Sequence, residues 1–221
     1  MDLMRLNYVD EIVKLIQEEA ADTLLERLEN YHENDIAEAL EKLTREDRLK
    51  LYKALDVERI SEIFAYLEDA APYFKEMEIE KAAQIIENMD SDDAVDVLES
   101  MDEQTGEKLV SLMDTESSRD IKLIQSYDED EIGSKMTTNF ILIKKGLTVK
   151  QAMKELVAQA EDNDNIYTVY VCNEDNSYYG AMDLKDLITA REYTDLQPFI
   201  SQAYPYVHDH EKVSECLEKI K

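Results

Sequence analysis

Basic residues are scarce in this 221-residue chain: Lys and Arg total 24 against 52 Asp and Glu, a formal net charge of -28. So acidic a surface repels polyanions, which makes nucleic acid and anionic membrane poor partners and cations good ones, the alternative being an acidic surface that serves solubility alone. Like-charge repulsion at that excess works against compactness unless counter-ions relieve it. Cysteine is also scarce. Cys172 and Cys216 stand far apart, which makes no disulfide framework and suits a reducing compartment. No apolar run approaches the ~18 residues of a membrane span, and the opening Met1-Asp2-Leu3-Met4-Arg5-Leu6 lacks the apolar core of a signal peptide. A soluble, cytosolic stretch of chain is expected. Catalytic machinery is missing as well. There is no glycine-rich phosphate loop and no Ser/His/Asp order, and His32 is isolated in an acidic helix. Paired carboxylates arise everywhere in so acidic a chain and do not argue for a glycosidase. No enzyme is expected.

What is present is apolar patterning. Hydrophobic residues make up 44% of the chain, enough for packed cores despite 34% charged residues. The length fits two modest domains. In the first half a four-position motif recurs at a step of 12 residues. It reads Ile36, Ala39, Leu40, Leu43, then with one slip Arg48, Leu51, Tyr52, Leu55, then Ile60, Ile63, Phe64, Leu67. It resumes as Ala82, Ile85, Ile86, Met89, then Ala94, Val97, Leu98, Met101, then Gly106, Leu109, Val110, Met113. Each set is spaced i, i+3, i+4, i+7, one face of a short helix. A short helix cannot bury its stripe alone, so the helices must stack into a solenoid. Residues 3–29 carry two more stripes out of phase, and Pro72 marks a kink or boundary in the gap. Asp35, Thr44, Asp56, Ser91, Asp102 and Thr115 stand near the fronts of stripes, where side-chain oxygens accept from orphan backbone amides.

The pattern changes after Tyr127. The acidic run Asp128-Glu129-Asp130-Glu131 leads into Ile132-Gly133-Ser134-Lys135-Met136-Thr137. Phe140–Ile143 predicts a strand, Thr148–Ala160 a helix capped by Thr148, and Ile166–Cys172 a buried strand. Asn173–Asn176 predicts a hairpin loop, Tyr178–Met182 the returning strand, and Leu184–Ala190 a short helix. With only 4 glycines in the chain, Gly133, Gly146 and Gly180 are expected at junctions of these elements. Tyr206-Val207 suggests a further strand, and Val213, Cys216, Leu217 and Ile220 form another helical stripe. Two readings stand for that end: a second β-α-β-β-α unit begins and is cut off, or a final helix docks on the first unit.

Asp92 and Asp96 are four apart on one predicted helix, on the face opposite Ala94, Val97, Leu98 and Met101, so both carboxylates are expected to project outward. A hard divalent cation bridging them would reverse their repulsion, since Mg²⁺ and Ca²⁺ prefer carboxylate oxygen. The alternative is that Asp92 and Asp93 stabilise the positive end of their helix, which leaves Asp96 unexplained. His208-x-His210 with Cys216 lacks a fourth ligand at zinc-like spacing.

Three stretches together resemble the cytosolic part of the MgtE family of magnesium channels and transporters. They are Met89-Asp90-Ser91-Asp92-Asp93-Ala94-Val95-Asp96-Val97-Leu98, Tyr127–Thr137 with its Glu-Asp-Glu-x-Gly-x-x-Met-Thr core, and Asn165-Ile166-Tyr167 through Leu184-Lys185-Asp186-Leu187. The third is similar to a first CBS domain. The resemblance covers nearly the whole chain. It implies an α+β architecture: an all-α superhelical repeat domain over 1–127, a CBS domain over 128–200, and the start of a truncated second CBS domain over 201–221. It implies Mg²⁺ ligation by Asp92 and Asp96, with Glu62 at a further family position and Ser134 where the family uses a backbone carbonyl. Asp209 and Glu211 match the acidic pair that opens the second CBS domain, although Lys212 stands where a second acid commonly follows. Gly180-Ala181-Met182-Asp183-Leu184-Lys185-Asp186 resembles the CBS nucleotide signature. Asp186 fits the ribose position, Asp183 would repel a phosphate, and Lys185 would offset that. The alternative role for Asp186 is to cap its short helix.

The function this implies is a Mg²⁺-sensing regulatory region on the cytoplasmic side of the cell membrane, a soluble fragment of an integral membrane protein. Mg²⁺ would hold a pore closed, and that transmembrane pore domain would belong to the same polypeptide. A homodimer through the CBS domains is expected. The rivals are a CBS adenine-nucleotide sensor, with ATP as ligand, and a protein-interaction scaffold.

Overall fold

The computed structural model describes residues 2–160, 163 and 165–219. Ile220, the last position of the C-terminal stripe, lies outside the described residues. The chain divides into two compact units, Met1–Gln125 and Ser126–Lys221, just before the change of pattern at Tyr127.

The first unit is helical throughout its described elements. In chain order these are α1 (Asp2–Glu18), α2 (Ala21–Leu28), α3 (Glu33–Leu40), α4 (Arg45–Ala54), α5 (Val57–Phe64), α6 (Ala71–Phe74), α7 (Ile79–Glu87), α8 (Ser91–Glu99), α9 (Glu103–Leu112) and α10 (Thr115–Ile124). Packing skips one neighbour along most of the array: α1 meets α3, α2 meets α4, α3 meets α5, α5 meets α7, α7 meets α9 and α8 meets α10. This is the stacking that two-turn amphipathic helices require. The repeat positions Ile36, Leu40, Leu51, Ile60, Ile63, Phe64, Ile85 and Ile86 are fully buried. The gap in the repeat holds α6, with Pro72 in its first turn where the missing N–H is harmless. It supplies Phe74, whose ring meets that of Phe64 edge-on at 5.1 Å.

Thr44, Asp56 and Asp102 cap their helices as expected, accepting from the amides of Asp47, Arg59 and Thr105. Three of the expected caps are displaced. Asp90 and Asp114 occupy the cap positions in place of Ser91 and Thr115, and His32 Nδ1 accepts from the Asn34 amide ahead of Asp35. The few cations close helix ends. Lys50 Nζ donates to the Ile16 carbonyl at 2.5 Å, Lys81 to that of Tyr52, and Arg59 to that of Tyr31 at 3.2 Å. An ammonium or guanidinium is favourable where carbonyls lack partners.

The second unit contains β1 (Ile141–Lys144), α11 (Val149–Gln159), β2 (Thr168–Cys172), β3 (Tyr178–Asp183), α12 (Leu184–Thr189) and α13 (Val213–Lys219). β1 and β2 are parallel, joined by the α11 crossover, and β2 and β3 are antiparallel. This gives the expected β-α-β-β-α order of a CBS unit, and the α+β class holds. Ile141 and Ile143 pair with Val169 and Val171, and all four are buried with Ala152, Leu156, Met182 and Leu187. Thr148 opens α11 with a capping box shared with Gln151. Gly146 sits at φ +82 in the turn after β1, a conformation that favours glycine.

Three expectations need correction. Ile166–Cys172 is not buried throughout. Val169 and Val171 face the core, while Tyr167 is 80% exposed and Tyr170 looks onto the outer face. Gly180 lies inside β3 rather than at a junction, because residue 201 pairs directly with residue 181 through two hydrogen bonds of 3.0 and 2.8 Å. Tyr206-Val207 forms no strand. α13 buries Cys216 but leaves Leu217 exposed.

Candidate functional site

In the first unit, α8 presents four carboxylates in its first two turns. Asp90 stands at the N-cap, Asp92 and Asp93 are half-buried, and Asp96 is exposed. Asp93 and Asp96 border a cleft of ≈ 200 Å³ with Glu68, Asp69, Met89 and Ser100. Burial first, then the charges of Asp92, Asp90 and Asp96, push the Asp93 carboxyl up to about 6. The outward projection of both Asp92 and Asp96 needs correction: Asp96 does point to solvent, but Oδ1 of Asp92 is buried and has no hydrogen-bond partner. Asp92 stands in the first turn of the helix. Asp93, assigned from sequence only to the helix terminus, is the residue that joins Asp96 at the cleft.

Glu62 lies on the exposed face of α5 and is engaged by Arg59 Nη1 at 3.2 Å. The same guanidinium also pairs with Glu33 and donates to the Tyr31 carbonyl. Burial is the leading cause that raises the Glu62 carboxyl, and Arg59 opposes it. A cation at Glu62 must therefore compete with Arg59.

In the second unit, Tyr127–Met136 and Val207–Val213 are laced together. The Ile132 and Gly133 amides donate to the carbonyls of Glu211 and Asp209, both at 2.8 Å, and Val213 N–H donates to Asp130 at 2.9 Å. Asp209 Oδ2 accepts from the Tyr127 hydroxyl at 2.9 Å, and Oδ1 from the His210 amide at 3.0 Å. The Tyr127 hydrogen bond is the main cause that holds the Asp209 carboxyl below its usual range. Glu211 accepts from His208 N–H at 3.1 Å and pairs with Lys219, which holds its carboxyl low as well. Lys212, the departure from the family pattern, is drawn to Asp130 at 2.6 Å. Its ammonium is therefore held by the acidic run that precedes the site. Ser134 Oγ donates to the carbonyls of Glu129 and Glu131 at 3.1 and 2.9 Å. His210 Nδ1 lies 3.2 Å from Glu131 and its ring 5.1 Å from that of Tyr127. His208 packs on Tyr206, and Cys216 is buried. Among the described residues no three His, Cys, Asp or Glu side chains converge on one metal position.

Asp186 and Lys185 sit in the first turn of α12. The cap position belongs to Asp183, so Asp186 does not cap the helix. Neither residue borders a concavity of ≈ 650 Å³ on the outer face of the sheet. That concavity is walled by Phe140, Leu142, Tyr167, Tyr170 and Tyr178, with Asn139 and Asn165 at its edge. The period-2 alternation of β1 and β2 carried the signal: with Ile141, Ile143, Val169 and Val171 inward, Phe140, Leu142 and Tyr170 must face out.

Among the described residues no helix is long and apolar enough to cross a membrane. Residues 31–130 match the family model of the MgtE intracellular N domain. The chain is 38% identical over 219 residues to the magnesium transporter MgtE of Enterococcus faecalis, covering 90% of this chain and 48% of that protein. It is 30% identical over 101 residues to the MgtE of Thermus thermophilus, covering 44% of this chain and 22% of that protein. The chain thus spans no more than about half the length of these curated relatives. Among solved structures, the soluble part of a magnesium transporter superposes with a TM-score of 0.91 at 26% identity, covering 98% of this chain and 86% of that one. The cytosolic domain of the Mg²⁺ channel MgtE in complex with ATP superposes with a TM-score of 0.82 at 26% identity, covering 95% and 87%.

Proposed function

We propose, from the premise that the chain belongs to the MgtE family, that it is the cytosolic Mg²⁺-sensing region of a magnesium channel or transporter. The observation that carries this reading is the carboxylate set of α8, where Asp93 is raised by burial and then by the charges of Asp92, Asp90 and Asp96, and one buried Asp92 oxygen has no hydrogen-bond partner. A divalent cation relieves that charge. Mg²⁺ suits the sparse protein ligation, since it keeps several waters and uses one or two carboxylates. Asp92 and Asp96 are the proposed first-unit ligands, with Glu62 as a weaker contributor. Asp209, Glu211 and Ser134, through its carbonyl, are proposed for the second unit. Cation uptake by the two acidic units favours a compact state over an expanded one. That is a two-state element biased by a ligand binding one state better. In the intact protein the compact state holds a transmembrane pore of the same polypeptide closed, on the cytoplasmic side of the membrane, in a homodimer joined through the CBS part. Residues 201–221 are the proposed opening of a second CBS domain.

The test is small-angle X-ray scattering across a Mg²⁺ titration at fixed ionic strength, with K⁺ as control. A saturable fall in radius of gyration with Mg²⁺ alone is expected. It should be lost in Asp92→Ala/Asp96→Ala with the helical circular dichroism intact. Normal compaction by that variant removes Asp92 and Asp96 from the site.

A second ligand is proposed beside Mg²⁺. The ATP complex of the structural relative favours adenine-nucleotide binding by the CBS unit, with Asp186 on the ribose and Lys185 near the phosphates. Calorimetric ATP binding that survives Asp186→Ala unchanged refutes that assignment.

A further inference from the structure

The hydroxyl of Tyr127 donates to Asp209 Oδ2 at 2.9 Å across 82 residues of chain, and the Mg²⁺ response as described makes no use of it. The other oxygen, Oδ1, accepts from the His210 amide at 3.0 Å. An ionised carboxylate offers about four lone-pair sites, so each oxygen retains capacity for a cation while the group is fixed in orientation. Both donors are neutral. Glu211, the other acid of the pair, is taken by the Lys219 ammonium. Asp209 is therefore held in place without losing its charge.

The tyrosine itself is firmly seated. A Cβ on Gly133 would stand 2.6 Å from the Tyr127 ring, so only glycine admits the ring there. The amide of that same glycine donates to the backbone carbonyl of Asp209 at 2.8 Å. The His210 ring packs at 5.1 Å. Ring, glycine and aspartate close a loop of contacts in which the phenol oxygen has one acidic target.

We infer that Tyr127 is a positioning residue for Asp209, orienting a fully charged carboxylate for a divalent cation. The inference rests on the Mg²⁺ reading of the Asp209–Glu211 pair. Outer hydrogen bonds of this kind fix the geometry of a ligand and reduce the ordering needed on binding. A lysine or arginine in the same place would orient the group but cancel its charge.

Tyr127→Phe keeps the ring and removes only the hydroxyl. In the whole chain, Mg²⁺ titrations by calorimetry should show its affinity falling about tenfold, the lower end of what loss of a ligand-orienting bond costs. At neutral pH the metal-free melting temperature should fall only slightly, since the lost bond is one that holds the Asp209 carboxyl low in the folded state. In an Asp209→Asn background the same substitution should change nothing further. Affinity equal to or tighter than wild type, or an equal loss in the Asp209→Asn background, overturns the inference. A metal-free arm separates it from the Mg²⁺ reading. The ¹³C-detected titration of the Asp209 carboxyl should move to higher pH in Tyr127→Phe, and an unmoved titration overturns the positioning role by itself. A moved titration in a chain whose Mg²⁺ binding is absent, or unaffected by Asp209→Asn, upholds the orientation of Asp209 and overturns its service to a cation.

Discussion

Arg48 and Glu76 form a two-armed ion pair across 28 residues of chain, Nε to Oε2 at 2.9 Å and Nη2 to Oε1 at 2.5 Å. Arg48 occupies the repeat slot that Ile36 and Ile60 fill elsewhere. The guanidinium also donates to the Leu43 carbonyl at 2.6 Å and lies over the Tyr73 ring at 5.4 Å. Both side chains are largely enclosed, at 16% and 13% exposure. The slip in the apolar repeat is thus a polar joint between α4 and the turn that follows α6.

Breaking that joint from one side should be costly. Arg48→Met leaves Glu76 enclosed without its partner, and loss of one member of a buried pair destabilises by about 3 kcal/mol. Urea unfolding should show this as a lower midpoint with an unchanged slope. A double variant, Arg48→Met with Glu76→Leu, should recover most of the loss, because no lone charge then remains. A double variant no better than Arg48→Met shows that the guanidinium acts through Leu43 and Tyr73 instead.

Asp93 makes stability depend on pH in the direction opposite to an ordinary ion-paired acid. Its carboxyl is raised from 3.8 to about 6, chiefly by burial and then by Asp92, Asp90 and Asp96. The folded state therefore holds the proton more tightly than the unfolded state. Its contribution is fully present below about pH 4 and is lost as pH rises through about 6. Because the group is only half-buried, solvent screening limits the effect to about 1 kcal/mol. Asp93→Asn should melt higher than wild type at pH 7.5 and equal to it near pH 4. An equal difference at both values would assign the effect to packing.

The fold was largely legible because apolar periodicity is the strongest signal a chain carries. The stripes at Ile60-Ile63-Phe64 and Ala82-Ile85-Ile86, and the runs around Ile141 and Val169, each report burial directly. What the spacing could not convey was orientation at helix starts. Asp92 and Asp96 share a face on an ideal wheel, yet one oxygen of Asp92, in the first turn, is buried, and Asp93 meets Asp96 at the cleft. Long-range polar partners were equally hidden. Tyr127 lies 82 residues from Asp209 and Arg48 lies 28 from Glu76, and no local pattern pairs them. Gly180 looked like a junction because its reason lies outside the strand, in residues 200 and 201.

That reason can be tested. A Cβ at Gly180 would stand 2.6 Å from the Ser201 carbonyl oxygen and 2.7 Å from Ile200 Cγ2. The first of these is backbone, fixed by its two hydrogen bonds to residue 181. Gly180→Ala should destabilise the second unit by about 1–3 kcal/mol, the usual range for forced overpacking. Hydrogen exchange should quicken at the amides of Ala181 and Ser201. Unchanged exchange at both positions would mean that the 200–201 segment shifts without losing its pairing.

Metal should stabilise the chain by an amount that its weak sites set in advance. A ligand bound only by the folded state adds RT ln(1 + [L]/Kd), so one site with Kd of about 1 mM contributes about 1.4 kcal/mol at about 10 mM Mg²⁺. Screening of a net charge of -28 adds a non-specific part that K⁺ reproduces at matched ionic strength. The difference between the Mg²⁺ and K⁺ melts therefore isolates ligation. It should be present in wild type, reversed by EDTA, and much reduced in Asp92→Asn/Asp96→Asn. The same variant in K⁺ should melt above wild type in K⁺, because removing two like charges from one helix face relieves repulsion of a few tenths of a kcal/mol. A variant that gains stability in K⁺ yet keeps the full Mg²⁺ increment would show that these carboxylates repel one another without ligating. The increment would then have to come from the acids of the second unit, Asp209 foremost.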